Sequence, residues 1–457
     1  MEANKTDIQQ DDYRMWPLMK KILRLGAPIM VGQIGMIVTG FADTMMVGYY
    51  STEALASASF VNNVFIVAIC ACLGFTYGIT PLVGILFTQK RHRNIGTLVK
   101  CAMHSNLSFA LLVTLVMGVI YLCLDHLGQP TELLPLIRPY YLIYLFGIVA
   151  ISLFNVFAQW SYAINNTLMP MWIILGANVL NIFGNWLLIF GNCGFPELGL
   201  TGAGLSTFVA RWIGPIIIML IFFMKRSYSE YREGFKSEKK SQEMFRSIRK
   251  TSWPVAMQMT FESGCFACAA VMVGWLGAIE LAAYQIFLIV GTLGFMLYCS
   301  MASATSVLVS NAAGMDNTRL MRRTAGAGYL VVLLFVVGVS VVFVAGGSTL
   351  LHLFTRDTLV LAAAVTLIFP LVLYQLGDAT QIAFANALRG TSNVVPMLWI
   401  AFVSYIIVGI PSMYLFGFTL SMGIYGIAMS FSVPLFLAAV LYLWQFMHVT
   451  RLKNAEK

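Results

Sequence analysis

The chain has 457 residues, of which 59% are hydrophobic and only 10% charged, with a formal net charge of +9. Soluble chains carry about 25% charged residues, so this composition excludes an ordinary soluble enzyme. Apolar runs of about 18 residues or more recur along the length, each long enough to cross a bilayer as a helix, and the fold class is an all-α polytopic membrane protein.

Met1–Arg14 is polar and mixed in charge. It has no apolar core of the kind a cleaved signal peptide needs, so the first span serves as the insertion signal. Hydropathy predicts twelve spans, at 17–48, 55–88, 94–125, 133–160, 168–191, 200–225, 248–276, 281–311, 320–352, 359–388, 394–417 and 423–448. The one long charged stretch, Lys225–Lys250, falls between spans six and seven and reads as a solvated linker. The expected organisation is an N-lobe at 1–224, a cytoplasmic linker at 225–250 and a C-lobe at 251–457.

Basic residues set the orientation. Lys20, Lys21 and Arg24 open the chain, and Lys90, Arg91 and Arg93 follow span two. Arg319, Arg322 and Arg323 follow span eight, Arg389 follows span ten, and Arg451, Lys453 and Lys457 close the chain. With the linker, all of these lie on one side of a twelve-span protein, and the other side holds only Arg138 and Arg356. The positive-inside rule then makes both termini cytoplasmic. The same distribution accounts for the basic excess without a nucleic-acid partner.

The sequence also repeats. An offset of 226 residues sets Pro28 against Pro254, Met46-Val47-Gly48 against Met272-Val273-Gly274, Leu55-Ala56 against Leu281-Ala282, and Pro170-Met171 against Pro396-Met397. One offset holding at four separated places marks a duplicated half, as in many secondary transporters. Each half has six spans, so the repeats are parallel and related by a pseudo-two-fold axis along the membrane normal. Pro28 and Pro254, at equivalent helix starts, read either as hinges or as plain structural prolines.

Three carboxylates fall well inside spans: Asp43, Glu262 and Asp378. Ionisable groups there are expensive and usually serve ions, protons or substrate. Helical spacing gives each acid polar company: Thr39 with Asp43, Gln258 with Glu262, Tyr374 and Gln375 with Asp378. Asn178, Asn181 and Asn185 form one stripe on span five, suited to binding a hard cation or to gluing helices together. Arg211 is the one cation expected at comparable depth. The acids do not follow the repeat, because Asp43 aligns with Ala269, Glu262 with Met36 and Asp378 with Ser152. Cys265-x-x-Cys268 lacks a second ligand pair and reads as helix packing. Gly202-Ala203-Gly204 and Gly74 with Gly78 read as close helix contacts. No phosphate-binding loop, HExxH or GxSxG motif is present, so neither an ATP-driven pump nor a hydrolase is expected.

These residues resemble the multidrug and toxic compound extrusion (MATE) transporters over essentially the whole chain. The resemblance rests on Gly40-Phe41-Ala42-Asp43-Thr44-Met45-Met46-Val47-Gly48, Phe261-Glu262, Ala282-Ala283-Tyr284-Gln285-Ile286, Tyr374-Gln375-x-x-Asp378 and Ala387-Leu388-Arg389-Gly390. Asn181, Asn185-Trp186 and Pro196-Glu197-Leu198-Gly199 fit as well, and the pair Glu262 and Asp378 is similar to the NorM branch. The resemblance implies two six-helix lobes, a rocker-switch cycle, and export of cationic aromatic drugs and dyes against H+ or Na+, with no other cofactor or metal. It implies a C-lobe cation site at Glu262, Asp378 and Tyr374, with Gln285, Gln258 and Gln375 toward substrate, and an N-lobe site at Asp43, Asn181 and Asn185. Arg211 departs from the family pattern.

The expectation is a monomeric, cation-coupled multidrug antiporter in the lipid bilayer of a bacterial inner membrane. The acid pair and the asparagine stripe tilt the coupling ion toward Na+. A rival from the same superfamily is a lipid-linked oligosaccharide flippase. It would need a cationic cavity for a pyrophosphate, whereas this chain sets one deep Arg against three acids. A membrane enzyme or a passive channel fits less well: no reactive cluster is visible, and duplicated halves suit alternating access.

Overall fold

The computed structural model describes residues 14–126, 130–237, 241–352 and 357–455. The amino-terminal stretch 1–13, Arg356 and Lys457 lie outside them. Among the described residues every regular element is helical, as hydrocarbon requires of a chain that must satisfy its own backbone polar groups.

The first half runs α1 (Met15–Tyr50), α2 (Thr52–Tyr77), α3 (Ile79–Thr88), α4 (His92–Leu122), α5 (Leu134–Ala163), α6 (Leu168–Phe190) and α7 (Gly199–Met224). Ser51 caps α2 by accepting from the backbone N–H groups of Glu53 and Ala54. Next come the short α8 (Ser229–Lys236) and the long α9 (Gln242–Gly274). The second half continues with α10 (Ala278–Gly314), α11 (Thr318–Leu351), α12 (Thr358–Thr366) and α13 (Ile368–Gly390). The eleventh span begins as α14 (Val395–Ala401) and opens into a π-helix at Phe402–Gly409. It tightens again at α15 (Ile410–Tyr414) and ends in a second π stretch, Leu415–Thr419. The last span is α16 (Gly423–Ser430) followed by α17 (Ser432–Ala455).

Among the described residues, eleven helices are long and apolar enough to cross a membrane, with α2 and α3 counted as one span. The pair α12 and α13, bent by 45°, makes a twelfth. The twelve-span reading therefore holds, except that the tenth span is broken at Leu367 and not a straight helix.

The chain packs as two compact units, one holding Val31–Ala256 and the other the residues up to Met30 with Met257–Lys457. These units follow the two halves except at the two long helices. Both α1 and α9 change units two residues past their proline, after Met30 and after Ala256, positions related by the same repeat offset. Both prolines lie well inside their helices, so Pro28 and Pro254 interrupt a backbone ladder and do not start one.

In the unit of Val31–Ala256, Phe65, Tyr141, Phe157, Trp160 and Phe222 are fully buried. Helices approach closely where side chains vanish. A Cβ at Gly78 would stand 2.5 Å from Ser252 Cα, and one at Gly202 would strike the Leu188 carbonyl. The expected contacts at Gly202 and Gly78 are thus present.

The stretch 225–250 is not simply a solvated linker. Tyr228, just before α8, and Tyr231 of α8 are buried beside Trp160, with ring centroids 5.0 and 5.6 Å away, and Phe235 follows one turn on. Thr97 donates to the Gly234 carbonyl at 2.9 Å and Lys100 to the Ser237 carbonyl at 3.1 Å. Gly96 faces the Tyr231 carbonyl and Gly234 faces the Arg93 carbonyl with no room for a side chain at either. Burial pushes the Tyr231 hydroxyl up to about 12, so it stays neutral. Residues 242–250 belong to α9.

In the other unit, Leu18 and Ile22 of α1 pack with Tyr298, Met301 and Ala379. A second cluster gathers Tyr284, Phe287, Tyr374, Tyr405 and Phe431. The π stretch of the eleventh span brings the Tyr405 carbonyl to 3.5 Å from the Cys265 thiol, which donates to it. That contact supports the packing reading of Cys265. Among the described residues no group of acids, histidines or cysteines could hold a metal ion.

Candidate functional site

Each unit contains one cluster of buried polar groups around its acids. In the unit of Val31–Ala256, α1 supplies Asp43, α6 supplies Asn181 and Asn185, and α7 supplies Thr207 and Arg211. Asn185 is fully buried and its amide donates to Asp43 Oδ1 at 2.5 Å. With its amide oriented to satisfy both ends, Asn181 donates to the same oxygen at 2.7 Å and accepts from the Thr207 hydroxyl at 3.1 Å. The Ser206 hydroxyl donates to the Asn181 carbonyl at 2.8 Å and ties α7 to α6. Half-buried Asp43 therefore accepts two amide donors, while the buried Asn185 carbonyl oxygen has no hydrogen-bond partner among the described residues.

The asparagine stripe divides. Asn181 and Asn185 meet Asp43, but Asn178 lies over Gly35 and its buried amide nitrogen is unpartnered among the described residues. Thr39 donates back to the Gly35 carbonyl at 2.9 Å and not to the acid one turn on. Arg211 lies over the Tyr144 ring, 4.1 Å from its centroid, within electrostatic reach of Asp43.

In the other unit, Gln258 on α9 donates to Glu262 one turn later at 2.9 Å, as its spacing predicts. The Gln258 carbonyl oxygen is buried and unpartnered among the described residues. Asp378 on α13 is 1% exposed and accepts from the Tyr298 hydroxyl of α10. Glu262 and Asp378 are close enough for their charges to interact, and Glu262 also feels Arg389. Tyr374 presents its ring to Phe266, Phe287 and Phe431 at 6.0, 5.6 and 6.0 Å. Gln375 donates to the Gly291 carbonyl at 3.4 Å, a long contact. Gln285 is exposed, between buried Tyr284 and Ile286, and no hydrogen bond among the described residues ties it to the acids.

Two residues of this cluster were not legible as members. Tyr298 lies 80 residues from Asp378 and carries no local signal. The basic-residue pattern places Arg389 on the cytoplasmic side after span ten, but α13 runs on to Gly390 and leaves Arg389 buried, donating to Asn386 at 3.1 Å. Arg211 is therefore not the only cation within the helical spans. Thr207 could have been found, since it stands four residues before Arg211 on one face of α7.

The MatE family model matches residues 28–187 and again residues 254–415. The chain belongs to the MatE family. The two matches open at Pro28 and Pro254 and reproduce the internal repeat. A probable multidrug resistance protein NorM from Xanthomonas axonopodis pv. citri is 26% identical over 387 residues, covering 85% of this chain and 84% of that protein. Another from Bradyrhizobium diazoefficiens is 28% identical over 437 residues, covering 94% and 93%. A solved outward-facing multidrug resistance MATE family transporter of the MOP superfamily superposes with a TM-score of 0.87 over 96% of this chain and 97% of that one. Its identity is 17%, so that likeness is one of fold. A second family model, the Lipid II flippase MurJ, matches residues 137–292 only. This MatE member is a multi-pass membrane transporter and not an enzyme.

Proposed function

We propose that this MatE member is a cation-coupled multidrug antiporter that exports cationic and aromatic compounds in exchange for Na+ or H+. The observation that carries the coupling is shared by the two units. In each, a primary amide donates to a carboxylate and leaves its own buried oxygen without a partner among the described residues: Asn185 at Asp43 and Gln258 at Glu262. A carboxylate beside a spare carbonyl oxygen is a donor set for a hard cation. It also suits a proton, which the carboxyl group can then donate to that oxygen. The NorM names of the relatives support the multidrug cargo.

Glu262 and Asp378, with Tyr374 and Tyr298 around them, form the proposed ion site of the second half, and Asp43, Asn181 and Asn185 that of the first. Coupling requires that ion and drug favour different conformations, since an ion that binds both equally shifts nothing. Two lobes at 1–224 and 251–457, moving with Pro28 and Pro254 as flexible points, would supply the conformations. We place the protein in a bacterial inner membrane with both termini cytoplasmic, on the basic-residue distribution. The partial MurJ match keeps a lipid flippase as the second reading.

Ethidium efflux from reconstituted vesicles, with Na+ and pH gradients imposed separately, tests the reading. One gradient should drive wild-type efflux, and Glu262→Gln, Asp378→Asn and Asp43→Asn should abolish it. Full activity in all three variants would make the carboxylates structural.

A further inference from the structure

Arg211 is the feature of the Asp43 cluster that ion coupling does not use. Its guanidinium is charged at any working pH. A charge inside a membrane span usually pairs with another charge or faces a polar cavity. Arg211 is in no ion pair among the described residues. The nearby acid, Asp43, has its oxygen occupied by the amides of Asn185 and Asn181.

The guanidinium is nevertheless held in place. One face lies 4.1 Å over the Tyr144 ring, which itself rests against Tyr140 at 5.0 Å. Gly147, on the same helix as Tyr144, leaves the space that the group occupies, since a Cβ there would stand 2.9 Å from Arg211 Nη1 and 3.2 Å from Cδ. Arg211 is half-buried and so is Asp43, so neither group is sealed away. One turn of α7, about 5.4 Å, separates Arg211 from Thr207, which joins the Asp43 network through Asn181. A fixed cation in no ion pair among the described residues and an anion thus belong to one network within one unit, close enough for their charges to interact.

We propose that Arg211 and Asp43 form a two-point subsite for zwitterionic cargo, in which the guanidinium takes a carboxylate and Asp43 takes a cationic amine. The planar fork of Arg211 matches a carboxylate in bidentate geometry. Ring stacking on Tyr144 leaves the edge of the guanidinium, where its N–H groups are, free to do so. The proposal rests on the multidrug reading and narrows its substrate class: compounds carrying both charges would bind here better than their purely cationic esters.

The test is binding of two dyes to the purified full-length protein by fluorescence polarisation. One is a rhodamine methyl ester, permanently cationic; the other is the parent free acid, which is zwitterionic. The variants are Arg211→Gln and Arg211→Lys. Wild type should prefer the free acid. Arg211→Gln should weaken the free acid about tenfold or more, the effect of losing a charge-assisted pair, and should not weaken the ester, whose cation is relieved of a like charge nearby. Arg211→Lys should restore part of the preference. Because the readout is a ratio of two ligands on one sample, incomplete folding of a variant does not alter it. Equal weakening of both dyes, or of neither, overturns the subsite and leaves the multidrug reading standing. Failure of wild type to bind either dye overturns both.

Discussion

Replacing Gly96 by Val should release the α8 helix from the cytoplasmic end of α4. A side chain at 96 collides with the Tyr231 carbonyl, and Gly234 is equally tight against the Arg93 carbonyl, so the collision is with backbone that has nowhere to go. Separating the two helices breaks the Thr97 bond to the Gly234 carbonyl and the Lys100 bond to the Ser237 carbonyl, about 0.5–1.5 kcal/mol each. It also exposes Tyr231, now 6% accessible, at about 1.5–3 kcal/mol for a large apolar side chain. The Arg93–Glu233 pair adds little because both groups are exposed. The loss is about 2.5–6 kcal/mol, which raises the detached population by roughly a hundredfold to ten-thousandfold. Trypsin reads this population when reclosing is fast. Arg232, whose guanidinium donates to the Phe223 carbonyl when docked, is the diagnostic cleavage site. Brief digestion of the detergent-purified protein, followed by mass spectrometry, should show cleavage after Arg232 rising steeply in Gly96→Val. Unchanged protection of Arg232 would refute the account of the clamp.

Tyr298→Phe removes the hydroxyl that Asp378 accepts and should lower gradient-driven efflux about tenfold or more, the scale of a hydrogen bond to a charged group. Tyr329→Phe, which loses only a 3.4 Å contact with Thr380, should leave efflux near wild type; equal losses would remove Tyr298 from the ion site. Gly202→Ala drives a methyl group onto the Leu188 backbone and should destabilise by about 1–3 kcal/mol. Gly118→Ala, with open space around it, should be neutral or gain up to about 1 kcal/mol, and thermal unfolding in detergent orders the two. If both termini are cytoplasmic, the exposed Cys123 and Cys193 face outward. A membrane-impermeant maleimide should label them in intact cells and should not label Lys236→Cys once Cys123 and Cys193 are replaced by Ser, and the reverse pattern inverts the topology.

Much of this protein is written in local terms. Hydropathy over windows of about 20 residues marks the spans because a helix closes its own hydrogen bonds and needs only an apolar surface to enter lipid. The offset between Pro28 and Pro254 exposes the duplication without any contact being known. The pair Gln258 and Glu262 could be read from one turn of helix, since i, i+4 neighbours meet on any helix. The same logic misled at residues 225–250, where charge density hid an aromatic face on α8, and at Arg389, where a helix outran its expected end.

Tertiary structure decided which polar groups share a site. Asn185 and Asp43 are 142 residues apart, and Tyr298 and Asp378 are 80 apart. No periodicity links such positions, because the phase between two helices depends on how their side chains pack and not on either sequence alone. Packing likewise kept Asn178 out of the Asp43 cluster although it lies on the same stripe as Asn181. The three intramembrane carboxylates could be counted from the sequence. Which of them meet, and with which unpartnered oxygens beside them, depended on glycine-lined contacts and stacked rings that exist only once the helices have packed.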